Sequence, residues 1–128
     1  MGQQTTKALY TPKNCKPICI VKKGDFFRDN NGVKIASLKF KGPGILQGYA
    51  DWCPHCIEKR DDMVALARKN PGFRVYVMES SKDDNEALNN AIGLQGFPNF
   101  FDVDKNGYVV KLDQIGSVND IRNNYNLV

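Results

Sequence analysis

The succession of apolar runs and helical patterns that begins at residue 45 constrains the fold more than any other feature of this sequence. Ile45 to Ala50 is a short apolar run between breaker residues, which is typical of a buried strand. Pro54 to Asn70 has the pattern of a helix that begins at a proline and ends before Pro71-Gly72. A strand followed directly by a helix predicts the first half of a strand-helix-strand unit.

The rest of the chain continues this alternation. It predicts a strand at Phe73 to Met78, a short helix at Asp83 to Ile92, a hairpin of two strands at Phe100 to Val103 and Tyr108 to Leu112, and a helix that opens at Ser117. The order β-α-β-α-β-β-α predicts an α/β fold with one mixed sheet and helices on both faces. The side chains predicted to point inward from the helices are Cys56, Ile57, Met63, Val64, Ala67, Ala87, Leu88, Ala91, Ile92, Val118, Ile121 and Tyr125.

The N-terminal third has a weaker pattern. Residues 1–17 are polar and show no apolar period, so we expect a flexible lead-in before a single domain at residues 18–128. Between Ile18 and Phe40, short apolar runs surround the turn signal Asn30-Asn31-Gly32, and no strand or helix is assigned there. A chain of 128 residues has enough apolar side chains for one secure core and too few for two.

Charge and hydropathy set expectations about location and partners. The net charge is +4, and residues 1–41 hold nine Lys and Arg against two Asp. No basic motif is interleaved with aromatic residues, so we expect no nucleic-acid partner, and we expect a monomer. No apolar stretch is long enough to span a membrane or to act as an export signal, which predicts a cytoplasmic location. Gly2 fits the pattern for N-terminal myristoylation and would provide the one expected membrane contact.

The four cysteines form two close pairs, Cys53/Cys56 and Cys15/Cys19. Thiol-disulfide exchange needs a thiolate that attacks and a second thiol that releases the mixed disulfide. Cys53, at the start of the predicted helix next to Pro54, would be the nucleophile because the helix dipole favours its ionised form. Cys56, one turn further in, would resolve the mixed disulfide, and His55 between them would stabilise the thiolate. This pattern predicts a thiol-disulfide oxidoreductase that needs no metal and no cofactor.

The second pair leaves alternatives open. Cys15 and Cys19 lie among Lys13, Lys16 and Pro17, a basic setting that predicts an accessible redox pair able to relay electrons to or from the main pair. All four cysteines could instead make a four-thiolate zinc centre, in a non-catalytic interaction module that binds zinc or senses redox state. A further alternative is that Cys53 and Cys56 are ordinary packing residues.

Two motifs carry a resemblance to a known family. The run Tyr49-Ala50-Asp51-Trp52-Cys53-Pro54-His55-Cys56 and the run Gly93-Leu94-Gln95-Gly96-Phe97-Pro98 resemble the thioredoxin superfamily, and look most like the catalytic domains of protein disulfide isomerases. The resemblance covers about residues 43–126. It implies a thioredoxin fold, exchange with protein or peptide thiols and disulfides, and a lean toward oxidation or isomerisation. Similar small proteins are encoded by large DNA viruses, which implies a virion location if the source is viral.

The resemblance also implies roles for particular residues. Pro98 would be a cis-proline facing the cysteines, Phe97 would offer backbone groups to an extended substrate, and Trp52 would flank the exposed sulfur. Two family features are missing. Gln47 stands where a buried acid is expected six residues before the first cysteine, and Ser117 and Val118 stand where the isomerases have a mobile arginine. The first change leaves the resolving thiol without its usual proton acceptor. Both changes favour simple oxidation or reduction over efficient isomerisation as the predicted activity.

Overall fold

The structure is a computed structural model and describes residues 7–128. Its strands are β1 (Cys19–Ile20), β2 (Phe26–Asp29), β3 (Gly32–Ile35), β4 (Gly44–Tyr49), β5 (Arg74–Glu79), β6 (Asn99–Val103) and β7 (Val109–Leu112). Its α-helices are α1 (Pro54–Lys69), α2 (Glu86–Ile92) and α3 (Val118–Tyr125), and short 3₁₀ turns precede β2 and α2. None of the helices in this part of the chain is long and apolar enough to cross a membrane.

Five strands form the main sheet in the order β1-β5-β4-β6-β7. The central strand β4 is buried along its whole length, parallel to β5 and antiparallel to β6. The remaining strands, β2 and β3, form a separate antiparallel hairpin across the Asn30-Asn31-Gly32 turn. The mixed sheet with helices on both faces confirms the predicted thioredoxin fold, including the element order from residue 45.

Two apolar cores lie on the two faces of the sheet, as the alternation of side chains along β4 requires. Ile45 and Tyr49 belong to the core that includes α1 and α3, whereas Leu46 belongs to the core that includes α2 and the β2–β3 hairpin. Both cysteines of the main pair lie in the first of these cores. We call the first the α1 core and the second the α2 core.

For some residues the prediction that the side chain points inward is wrong. Ile57 is 51% exposed, because in the first turn of α1 only Cys56 is covered by the core. Leu66, which the sequence analysis left out, is fully buried further along the helix. Ala87 and Ala91 are exposed, because α2 is short and contacts its core through Leu88 and Ile92.

The expected flexible lead-in is also corrected where the structure describes it. Leu9, Tyr10 and Cys15 are buried in the α1 core, so packing begins well before residue 18. Backbone groups of this segment are held by the domain: Leu9 N donates to Asp51 Oδ1 at 2.9 Å, and the Leu9 carbonyl accepts from Arg60 Nη1 at 3.2 Å. Three isolated side chains in a polar stretch give no periodic signal, which explains why the sequence did not show this. Gly2, the expected myristoylation site, lies outside the described residues.

Candidate active site

Cys53 lies at the junction between the sheet and α1. A turn leaves β4, closed by a hydrogen bond from Cys53 N to the Ala50 carbonyl at 3.1 Å, and Cys53 then caps the helix. Its Sγ accepts the backbone N–H of Cys56 at 3.4 Å, and Pro54 occupies the first helical position. The helix start therefore directs an N–H donor at the sulfur that was predicted to be the nucleophile.

The two thiols of this pair differ in exposure. Cys53 keeps 4% of its surface exposed, whereas Cys56 is fully buried, and neither is in a disulfide. Burial raises the pKa of the Cys56 thiol well above its ordinary value, with a further rise from its interaction with Cys53, while Lys59 acts in the opposite direction. The geometry thus separates an outer sulfur from a shielded one that resists ionisation.

Trp52, Phe97 and Pro98 surround the outer sulfur. Cys53 Sγ lies 3.5 Å from the Phe97 carbonyl oxygen, to which its S–H donates, and the Phe97–Pro98 peptide bond is cis. The Trp52 and Phe97 rings meet edge to face with centroids 5.6 Å apart, and Trp52 is 58% exposed. These three residues, implied by the resemblance, come together beside Cys53.

A cavity of about 570 Å³ adjoins these aromatic rings. Its opposite wall comes from the segment between β5 and α2 and from α2 itself, and is mainly polar, with Ser81, Asp83, Glu86 and Asn90. No local sequence pattern indicated that this segment would lie next to Trp52 and Phe97. Together the rings and the polar wall line a groove at the surface.

His55 and Pro54 are exposed on the first turn of α1. His55 Nδ1 lies 3.4 Å from Glu58 Oε1, and both side chains are more than 70% exposed. His55 therefore lies between the cysteines along the chain but at the surface, where solvent screens its charge.

Cys15 and Cys19 do not form the accessible pair that was expected. Cys15 is fully buried in the α1 core, while half-buried Cys19 packs against the α2 core, on the other face of the sheet. Burial raises the pKa of both thiols, contrary to the lowering expected from nearby lysines. Among residues 7–128, no group of three or more His, Cys, Asp or Glu side chains is arranged to hold a metal ion.

One buried polar pair was missed by the sequence analysis. Tyr10 OH donates to Gln47 Oε1 at 3.0 Å, and both side chains are buried. The position of Gln47 relative to Cys53 marked it as a departure from the family, but nothing in the sequence connected it to Tyr10. Ser117, at the place expected for the mobile arginine, instead caps α3 by accepting from Asp120 N at 3.1 Å.

Comparison with known proteins agrees with this arrangement. The thioredoxin family profile, described as Thioredoxin, matches residues 22–125. The chain belongs to the thioredoxin family. The family consists of thiol-disulfide oxidoreductases, and the cysteine pair described above is the part of this chain that suits that chemistry.

Solved structures show the same fold at low sequence identity. A thioredoxin-like protein from Clostridium perfringens is 19% identical with a TM-score of 0.59, over 85% of this chain and 79% of that one. Thioredoxin O1 from Arabidopsis thaliana in its oxidised state is 17% identical with a TM-score of 0.55, over 67% of this chain and 78% of that one. Mitochondrial thioredoxin 3 from Saccharomyces cerevisiae, also in its oxidised form, is 18% identical with a TM-score of 0.52, over 68% of this chain and 77% of that one. No curated protein sequence matches the chain.

Proposed function

We propose that this thioredoxin-family protein exchanges disulfides with protein or peptide substrates, with Cys53 as nucleophile and Cys56 as resolving thiol. The observation that carries the proposal is the position of Cys53 Sγ, which accepts the Cys56 N–H at 3.4 Å and lies 3.5 Å from the Phe97 carbonyl oxygen. A helix-start N–H stabilises negative charge on this sulfur, and the same sulfur keeps some exposure to a substrate.

The reduction of a substrate disulfide takes two exchanges. The Cys53 thiolate attacks one substrate sulfur, a Cys53–substrate bond forms, and the other substrate sulfur leaves with the electron pair and takes up a proton. Cys56 then loses its proton and attacks Cys53 Sγ, which forms the Cys53–Cys56 disulfide and releases the second substrate thiol. The same steps in reverse oxidise a substrate dithiol.

The surroundings of Cys53 suit an extended peptide. Trp52 and Phe97 offer an aromatic edge beside the sulfur, and the 570 Å³ cavity continues the surface toward polar side chains before α2. When Cys53 joins a mixed disulfide it no longer donates to the Phe97 carbonyl, which then becomes free to accept an N–H from a substrate backbone. We propose that Trp52, Phe97 and Pro98 form the substrate-docking surface.

The direction of exchange is proposed from the residues between the cysteines. A protonated His55 stabilises a neighbouring thiolate, and stabilising the reduced form makes the disulfide form a stronger oxidant. We therefore propose that the protein mainly oxidises substrate dithiols, and that disulfide isomerisation is its second activity. The isomerase-like motifs favour isomerisation, but Ser117, a helix cap, stands in place of the mobile arginine.

The zinc-module alternative has less support. A four-thiolate centre needs four sulfurs on one side of the structure, but Cys15 and Cys19 pack in cores on opposite faces of the sheet. Zinc measured in protein purified under reducing conditions tests it, because the module predicts one metal ion per chain.

The proposed activity is tested with a reduced unfolded substrate and with insulin. We expect the oxidised protein to form disulfides in the former and the reduced protein to cleave insulin disulfides in the presence of a dithiol. Cys56→Ser should trap the substrate on Cys53 as a mixed disulfide, and Cys53→Ser should trap none. A Cys53→Ser variant that retains either activity would contradict the proposal.

A further inference from the structure

Gln47 faces the same core as the resolving thiol. It lies in the middle of β4, and its neighbours at alternate positions, Ile45 and Tyr49, belong to the α1 core together with Cys56. Gln47 is fully buried. An amide thus lies in the same core as Cys56 and next to Tyr10, a member of that core.

Tyr10 determines how this amide is used. Its hydroxyl donates to Gln47 Oε1 at 3.0 Å, so the oxygen is occupied and the nitrogen is the free end. Gln47 Nε2 is buried and has no hydrogen-bond partner among residues 7–128. A buried donor without an acceptor is unfavourable in the resting protein, so Gln47 Nε2 would be stabilised by an acceptor that forms near it during the reaction.

The N-terminal segment keeps Tyr10 in place. The backbone of Leu9 donates to Asp51 in the active-site loop and accepts from Arg60 on α1. The Tyr10 ring also packs edge to face against Tyr49, with centroids 4.9 Å apart. The orientation of the Gln47 amide is therefore built into the fold rather than left to local rotation.

The titratable groups that face Cys56 come from three elements. They are Cys53 and Lys59 of α1, Tyr49 of β4, and Tyr10 and Cys15 of the N-terminal segment. Burial raises the pKa of both tyrosines, so they are neutral at physiological pH. Asp51 and Glu79 also raise the pKa of Tyr49. The positive charges in these surroundings are therefore Lys59, which acts on Cys56, and Arg60, which acts on Tyr10 and Cys15.

We propose that the Gln47 amide N–H stabilises the Cys56 thiolate during the resolving step, and that Tyr10 is the positioning residue that aims it. The inference rests on the proposed function and assigns a task to the site where the family has an acid. The amide accepts no proton. Cys56 loses its proton, its thiolate attacks Cys53 Sγ, the Cys53–Cys56 bond forms as the Cys53–substrate bond breaks, and the substrate sulfur leaves with the electron pair and takes up a proton.

The test separates the two exchanges with the aromatic disulfide 5,5′-dithiobis(2-nitrobenzoate). Attack by Cys53 releases one coloured thiolate at a rate proportional to reagent concentration. Attack by Cys56 on the resulting adduct releases a second coloured thiolate at a rate that does not depend on reagent concentration. Stopped-flow absorbance resolves both phases, peptide mass mapping locates the adduct, and Cys56→Ser identifies the second phase by abolishing it.

We expect Gln47→Met to slow the second phase about tenfold at every pH between about 6 and 9, since one hydrogen bond to an anion corresponds to roughly that change in an ionisation constant. The first phase should not change. Tyr10→Phe should slow the second phase by a smaller factor, about threefold, because the amide remains but loses its orientation. Tyr49→Phe is the matched control, since within the described residues its hydroxyl makes no hydrogen bond, and it should change neither phase.

Gln47→Met keeps the length of the side chain but removes the acceptor of the buried Tyr10 hydroxyl together with the unpaired donor, so its melting temperature should fall by a few degrees while the variant stays folded. A second phase unchanged in both Gln47→Met and Tyr10→Phe would overturn the inference and leave the proposed function intact. Equal slowing of both phases would also overturn it, because that pattern indicates a general loosening of the site. If no adduct forms at Cys53, the proposed function fails and the inference fails with it.

Discussion

The two cysteine pairs have nearly the same spacing and opposite surroundings. Cys53 Sγ accepts a backbone N–H from Cys56 at the start of α1. Cys15 instead donates to the Thr11 carbonyl at 3.0 Å, and Cys19 donates to the Lys39 carbonyl at 3.4 Å. Cys53 also donates to the Phe97 carbonyl, so what sets it apart is the N–H that it accepts, because within residues 7–128 the Cys15 and Cys19 thiols only donate to carbonyls. Backbone geometry, more than spacing or nearby lysines, sets the surroundings of Cys53 apart from those of Cys15 and Cys19.

The difference between the two pairs is tested most directly by removing one candidate nucleophile from each pair. Cys53→Ala should lower disulfide exchange by about a thousandfold or more, because it removes the attacking atom. The matched Cys19→Ala should stay within about twofold of the unaltered rate. Insulin reduction measures both. A large loss in Cys19→Ala would restore the electron relay that was expected from the sequence.

His55 is a second difference between the pairs, because it lies between Cys53 and Cys56 and no histidine lies between Cys15 and Cys19. His55→Gly should make the protein more reducing by about 30 mV, which corresponds to a tenfold change in the exchange equilibrium. The physical reason is the loss of the imidazole, whose protonated form would stabilise the reduced form of the pair. Equilibration in glutathione buffers measures the potential, and wild type should lie above the thioredoxin value of about −270 mV. A variant no more reducing than wild type would show that His55 has no influence on the potential.

Cys15 should matter for stability and not for exchange. Cys15→Ala removes a fully buried thiol from the α1 core and should lower the free energy of unfolding by about 1 kcal/mol. Exchange rates should remain unchanged. Urea unfolding followed by tryptophan fluorescence measures the first effect, with Cys19→Ala as the half-buried control and a smaller expected loss. Equal losses in the two variants would argue against the difference in burial.

The raised thiol pKa values predict a pH effect with a definite sign. Burial raises the pKa of Cys15, Cys19 and Cys56 in the folded state, so above the ordinary thiol value of about 8.5 the unfolded chain loses protons that the folded chain keeps. The stabilisation is complete below that pH and is lost as pH rises toward the folded-state values. Urea unfolding of the reduced protein between about pH 8 and pH 10 should show falling stability, with a shallower fall in the Cys15→Ala, Cys19→Ala double variant. An identical slope in that variant would contradict the burial argument for the second pair.

The exposed His55–Glu58 pair should give the smallest effect. Glu58→Gln removes a carboxylate 3.4 Å from His55 Nδ1, but both side chains are largely exposed, and solvent screens such pairs. The reduction potential should shift by less than about 10 mV. A shift as large as that of His55→Gly would mean that Glu58 governs the histidine.

Local patterns were enough to predict most of the fold from residue 43 onward. The apolar run of β4, the proline start of α1, the Asn-Gly turn between β6 and β7 and the cap of α3 at Ser117 each reflect interactions between residues close in sequence. The Cys53 site was predictable for the same reason, since the cap and the helix are neighbours. Ile57 was wrong because helical periodicity gives a direction, while its exposure depends on which element covers the first turn.

Contacts between distant residues could not be read in this way. Tyr10 and Gln47 are 37 positions apart, and their hydrogen bond exists because the N-terminal segment crosses the α1 face of the sheet. The same crossing sends Cys15 and Cys19 to opposite faces, which no spacing rule shows. From residue 45 onward, sequence alone determined the identity and order of the elements and the place of Cys53 at a strand-to-helix junction, because those depend on short-range backbone geometry. Only tertiary packing decided which polar groups surround Cys56, because burial brings together groups that no local pattern links.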